Sequence, residues 1–263
     1  MKRGHLYHIV DVSPWPLASS MGALLLTSGF ACYIHRVEYG MLMFLLGLLL
    51  LLSSMYVWWR DVVRESTYQG NHTLIVQRGL KIGFILFTCS EVVFFGGFFW
   101  AFFHSSLSPS ILLGAVWPPV NIVSLNPYGV PMLNTAILLL SGFSITWVHF
   151  ALISGNYNEA RNGFVVTLFL AILFTGLQVG EYLEAPFNIS DSVYGSAFFS
   201  LTGLHGLHVV IGSIFIGVCF FRFYDNQFTV KHHLGFEFAS WYWHFVDVVW
   251  LFLYVFVYIW GNW

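Results

Sequence analysis

The sequence predicts an all-α membrane protein with seven transmembrane helices, and three observations predict it. Of the 263 residues, 58% are hydrophobic and 20% are aromatic. Only 8% are charged, against the roughly 25% that a soluble domain carries, so the chain cannot cover a water-facing surface. The apolar residues also gather into seven long runs divided by polar or helix-breaking segments. This pattern excludes a nucleic-acid-binding protein, a secreted disulfide scaffold and a soluble enzyme. A net charge of -2 offers no field for phosphate, and Cys32, Cys89 and Cys219 stand far apart in apolar stretches, as buried thiols would.

A spanning helix needs about 20 mostly apolar residues, because it rises roughly 1.5 Å per residue through about 30 Å of hydrocarbon. The seven runs that qualify are 17–35, 40–59, 79–104, 130–153, 162–183, 192–221 and 236–260. His35, Arg36 and Glu38 part the first two, and the charged run Arg60 to Gln77 parts the second from the third. A proline-rich stretch from Pro109 through Pro118, Pro119, Pro127 and Pro131 precedes the fourth. Gly155 to Arg161, Glu184 to Asp191 and Arg222 to His233 separate the rest. No alternation of the kind a β-barrel requires is present. Met1 to Pro16 is polar and holds Pro14 and Pro16, so the first apolar run is expected to remain in the membrane instead of being cleaved. Trp58, Trp59, Trp241, Trp243, Trp260 and Trp263 lie near span ends, where indoles anchor at headgroup level. Ala18 with Gly22, and Gly97 with Ala101, are small-residue pairs that would let helices approach closely.

Cation placement gives the orientation. With the N-terminus inside, Lys2, Arg3, Arg60, Arg64, Arg78, Lys81, Arg161, Arg222 and Lys231 share one side and Arg36 stands alone on the other. The rule that cations stay inside therefore places the N-terminus inside and the C-terminus outside.

The chemistry-bearing candidates are few. Glu91 falls near the middle of the third span, where an ionised carboxylate is expensive and an acid is functional by default. The alternative is a protonated, hydrogen-bonded packing residue. His205 and His208 share a helix face, His232 and His233 are adjacent, and His244 precedes Asp247 by three. Imidazole is a common haem and copper ligand, but spacing alone dictates no convergent set. The run Tyr56 to His72 concentrates indoles and charge at the inner face, which suits either a lipid headgroup site or an ordinary basic loop. On these residues, a proton-linked transporter using Glu91 and a haem or copper oxidoreductase using His205, His208 and His244 both remain open.

Ordered motifs add a resemblance. They include Ser13-Pro14-Trp15-Pro16, the segment Trp58 to Thr73, Ser90-Glu91-Val92 and Gly97 to Ser106. Further along come Trp117-Pro118-Pro119, Leu133-Asn134-Thr135, Glu184-Ala185-Pro186-Phe187, Gly203-Leu204-His205-Gly206-Leu207-His208 and Trp241 to Phe252. In this order and spacing, from about His8 to Trp260, the chain resembles subunit III of the haem-copper cytochrome c oxidases, in the mitochondrial form. Two mild departures are His149-Phe150, where the family often has two histidines, and a serine among Asp191 to Ser196 at a usual glycine. A quinol-oxidase homologue is the nearest alternative, although such subunits usually lack the first two helices.

The resemblance implies a two-helix plus five-helix arrangement, divided as 1–72 and 73–263, around a V-shaped cleft that holds phospholipids. It implies no catalytic residue and no metal in this chain, with haem a, haem a3 and copper held by partner subunits I and II. Glu91 matches the family's buried carboxylate beside the cleft. Tyr56, Trp59, Glu65, Thr67, His72 and Arg222 match residues lining a phospholipid headgroup. His208 is expected to share a polar patch with Glu91. Implied partners are subunits I and II, accessory subunits, phospholipids and the membrane, with no nucleic acid. The implied location is the mitochondrial inner membrane with the N-terminus in the matrix, and a bacterial plasma membrane is the second choice.

Overall fold

The computed structural model describes residues 5–111 and 114–262. Among them are seven helices long and apolar enough to cross a membrane. They are α1 (Trp15–Ile34), α2 (Gly40–Thr67), α3 (Leu74–Leu107), α4 (Val130–Ser154), α5 (Tyr157–Glu184), α6 (Ser192–Tyr224) and α7 (Leu234–Leu253). Helix α7 continues through a π-helical segment, Tyr254–Ile259, and ends in a 3-10 turn, Trp260–Asn262. The described residues contain no strand, and one isolated bridge joins Thr229 to His232. The fold is that of an all-helical, multi-pass membrane protein.

Several helices outrun their apolar stretches. The sequence ends the second span near 59 and treats Arg60 to Gln77 as a separator, yet α2 persists to Thr67 and α3 starts at Leu74. A helix is held by its own backbone bonds, so it need not stop where side chains turn polar. Asp61 faces both Arg60, at 2.9 Å, and Arg64, at 4.0 Å one turn on, which suits the polar continuation. Similarly, α5 begins at Tyr157, not 162. Gly155 ends α4 with φ 74°, and the Asn156 side chain accepts from the Glu159 amide, so two residues suffice for the turn. Pro16 and Pro131 open α1 and α4 near their first positions, where no intrahelical N–H is needed.

The chain divides into two compact units, Met1–Leu80 and Lys81–Trp263. In the first, α1 and α2 pair through glycine. A methyl added at Gly22 would stand 2.8 Å from the Leu51 amide nitrogen, and one at Gly29, Gly40 or Gly47 would collide with the backbone of Phe44, Tyr33 or Leu26. Ser19 and Ser54 add a hydroxyl pair at 2.9 Å across the same seam. Lipid tails are as apolar as leucine, so close backbone approach and hydrogen bonds hold these helices together. The expected pair Gly97 and Ala101 does not work this way: a methyl at Gly97 would meet nothing within 4 Å.

The second unit is instead interlocked by large side chains. Trp243 and Trp250 on α7 are both buried and donate to Ser141 and Thr135 on α4, each at 2.9 Å. Trp250 also meets Phe174 of α5 edge to face at 4.9 Å. Trp243 is therefore a core residue and not an interfacial anchor, and Trp263 lies outside the described residues. Of the cysteines, Cys219 is buried, Cys32 is half-buried and Cys89 is exposed, contrary to the expectation that all three are covered.

The seam between α1 and α2 is directly testable. Ser19→Cys combined with Ser54→Cys should form a disulfide in the assembled protein on mild oxidation. Adding Gly47→Leu should abolish it, as read by gel mobility after site-specific cleavage between the helices.

Candidate functional site

Glu91 lies at the midpoint of α3, in the 34 residues from Leu74 to Leu107, and His208 at the midpoint of α6, in the 33 from Ser192 to Tyr224. Although 117 residues apart in sequence, they meet: His208 Nε2 is 3.0 Å from Glu91 Oε2. The second imidazole nitrogen has its own partner. Nδ1 lies 2.7 Å from the Leu204 carbonyl, which can only accept, so Nδ1 carries hydrogen. With Nδ1 facing that carbonyl, Nε2 is the nitrogen left to pair with the Glu91 carboxyl group. Each polar group thus has a partner from another helix, which is the arrangement an apolar span tolerates.

Aromatic rings enclose the imidazole. Phe95 meets it edge to face at 5.0 Å, Tyr242 stacks at 6.2 Å and Phe245 stands at 6.5 Å. The His208 side chain is 10% exposed and that of Glu91 is 22% exposed, so the acid forms the open end of the pair.

Five of the six residues matched to a headgroup site lie in the first unit. Helical rotation of 100° per residue puts Tyr56, Trp59 and Thr67 on one face of α2, and Tyr56 and Trp59 are largely exposed. Glu65 points the opposite way, into a cavity of about 860 Å³ that His72 also lines. There Glu65 Oε2 lies 3.8 Å from His8 Nε2, and the rings of His8 and His72 are 6.0 Å apart. Across the same cavity Trp15 Nε1 donates to Asp61 at 2.7 Å. Arg222, at the end of α6, donates from Nε to Gln227 at 3.0 Å and holds its guanidinium 4.7 Å over Phe228.

The remaining histidines are dispersed. His205 is fully buried, with Nε2 3.2 Å from the Val246 carbonyl. His233 Nδ1 is 3.0 Å from the Thr229 carbonyl, and its ring meets His149 edge to face at 5.4 Å. His232, in the connection before α7, is held below the usual imidazole value by burial, with the Arg222 and His233 charges adding to that. Among the described residues, no group of three or more His, Cys, Asp or Glu side chains is placed to hold a metal ion.

The structure also assembles a buried polar cluster that the sequence reading does not single out. Tyr258 donates to Glu181 at 2.6 Å, Gln178 donates to the same carboxylate oxygen at 3.1 Å, and Asn134 donates to Gln178 at 3.4 Å. The one-turn spacing of Gln178 and Glu181 inside an apolar run is the signal that could have found it.

A helical protein with seven membrane-length spans and a carboxyl–imidazole contact halfway along two of them is an integral membrane protein, and sequence comparison places it further. The family model described as "Cytochrome c oxidase subunit III" matches residues 5–262. Relatives named "Cytochrome c oxidase subunit 3" include one from Ceratotherium simum, 58% identical over 258 residues, covering 98% of each chain. Those from Prototheca wickerhamii and Homo sapiens are each 57% identical over 260 residues, covering 99% of both chains. The chain belongs to the cytochrome c oxidase subunit III family and is a subunit of the cytochrome c oxidase complex.

The pairing of Glu91 with His208 yields a graded expectation. Glu91→Gln keeps a polar partner for Nε2 and should shift the melting of the purified complex little. Glu91→Leu strands the imidazole and should cost about 1–3 kcal/mol, read by thermal melts of both variants.

Proposed function

We propose that this chain is a non-catalytic core subunit that stiffens the flank of the catalytic subunit and holds structural phospholipids there. Haem a, haem a3 and copper belong to subunits I and II, which with accessory subunits are its partners. The observation that carries the non-catalytic reading is the separate engagement of the histidines. His205 faces a backbone carbonyl, His208 is committed to Leu204 and Glu91, and His244 faces Thr146 and Asp247. Metal centres need converging ligands, and these side chains diverge.

The lipid role uses a two-helix bundle and a five-helix bundle, divided as 1–72 and 73–263, around a V-shaped cleft. Tyr56, Trp59, Glu65, Thr67, His72 and Arg222 are its headgroup ligands, with Glu65 and His72 contributing from the cavity on the other face of α2. Support comes from residue type and position: indole, phenol, imidazole and guanidinium groups at the inner ends of α2 and α6 suit a phosphate and its glycerol. Lipid between bundles offers oxygen an apolar route and screens proton uptake at the inner surface, with Glu91 beside it. The motif match to the mitochondrial form supports the mitochondrial inner membrane, and the cation distribution supports a matrix N-terminus.

Two measurements test this. Glu91→Gln should leave the haem optical spectrum of the complex unchanged and alter turnover endurance or proton coupling at most. Lost haem absorbance with subunits I and II still assembled would sink the non-catalytic reading. Replacing His72 and Arg222 together by Ala should deplete tightly bound phospholipid, quantified by mass spectrometry of the purified complex. An unchanged lipid complement would reject both as headgroup ligands.

A further inference from the structure

The cavity of about 860 Å³ in the first unit has one wall that is not a helix. Residues 5–13 run back from the start of α1, and Tyr7, His8, Val10, Asp11, Val12 and Ser13 line the cavity opposite side chains of α2 and of the first turns of α3. Among the described residues, 5–13 make no backbone-to-backbone hydrogen bond. A terminal segment of that kind opens at little cost unless side chains fasten it.

Side chains supply the fastening here. Thr73, the residue before α3, donates its hydroxyl hydrogen to the Leu6 carbonyl at 2.6 Å. The same oxygen accepts from the Val76 amide at 3.5 Å, in the manner of a helix cap, so one hydroxyl ties the segment to the start of α3. His8 is the second tie. Its side chain is 13% exposed and turns inward toward Glu65 and His72, whereas Tyr7 and Ile9 on either side are 68% and 76% exposed. Extended chain alternates its side chains in this way, so His8 covers the cavity while its neighbours face out. At the far end Trp15, where α1 begins, is held by its bond to Asp61 at 2.7 Å.

We propose that residues 5–13 form a strap that closes this cavity, and that release of the strap governs exchange of the headgroup held inside. The inference rests on the reading of Glu65 and His72 as headgroup ligands, and adds to it how the ligand is retained. Both residues lie behind the strap: Glu65 faces His8 at 3.8 Å, and the His72 ring is 6.0 Å from that of His8. A headgroup bound to them is therefore covered by the strap. Neither α2 nor α3 has to move to free it, because the wall with the fewest ties yields first.

The test uses the purified, assembled oxidase and two readouts. One is labelling of Val62→Cys, in the α2 wall of the cavity, by a water-soluble maleimide, read at that residue by peptide mass spectrometry. The other is the rate at which micelles of deuterated phosphatidylethanolamine and phosphatidylglycerol replace tightly bound lipid. Thr73→Asp keeps an acceptor for the Val76 amide but has no hydrogen for the Leu6 carbonyl, and should speed both processes about fivefold, as loss of one hydrogen bond predicts. Thr73→Ser keeps donor and acceptor and should leave both rates near the parent's. Should Thr73→Asp prevent assembly, His8→Ala, which alters the strap and no helix, should still quicken the labelling. Labelling as slow in Thr73→Asp and His8→Ala as in the parent would overturn the strap. Faster labelling with unchanged lipid exchange would uphold the closure and reject the headgroup reading alone.

Discussion

Hydrocarbon supplies no hydrogen-bond partner, and the rest of this structure answers that deficit. Each stretch of backbone that crosses is helical, because a helix satisfies its own amides and carbonyls. Side-chain hydroxyls follow the same rule by turning back on their own helix: Thr88 to Phe84, Thr167 to Gly163, Ser213 to Val209 and others along nearly every span. What remains polar after that must find a partner on another helix, and those partnerships fix much of the tertiary structure.

The two units meet this constraint differently. Between α1 and α2 the side chains withdraw, and glycines let the two backbones touch along most of the seam. In the larger unit Trp243 and Trp250 enter deeply, each donating its indole N–H to a hydroxyl on α4. A glycine seam is intolerant of any added carbon, whereas an indole interlock depends on one hydrogen bond and on the rings around it. Leu74–Leu107 belongs to neither style. An added methyl at its glycines 79, 83, 96 or 97 would meet nothing within 4 Å, and within the larger unit the helix packs through phenylalanines and the Glu91 carboxyl group.

Acids within the spans show how burial and partnership are matched. Glu91 pairs with His208, and Glu181 receives Tyr258 and Gln178. Asp247 is held against Gly142 with His244 at its edge. All three acids have a neighbour capable of donating, but only the third has that neighbour half open to its surroundings.

The seven spans found among the described residues, their approximate places and the residue at the middle of α3 were legible in the sequence alone. Length and hydropathy are local properties, and the hydrocarbon thickness converts them directly into spans. Helix ends at Thr67 and Tyr157 were not legible, because backbone bonding carries a helix past the last apolar side chain. That Glu91 would meet a histidine from α6 could be suggested but not fixed by a separation of 117 residues. Likewise Glu65 shares its segment with Tyr56 and Trp59 yet turns to the opposite face of α2, toward His8. Trp243 reads as an interfacial anchor from its place near a span end, and only the arrival of Ser141 from α4 makes it a core residue. Composition and hydropathy thus determined which segments cross. Pairing between helices, which depends on contacts the chain makes only after it has crossed, decided which polar groups meet, which are sealed and which stay half open.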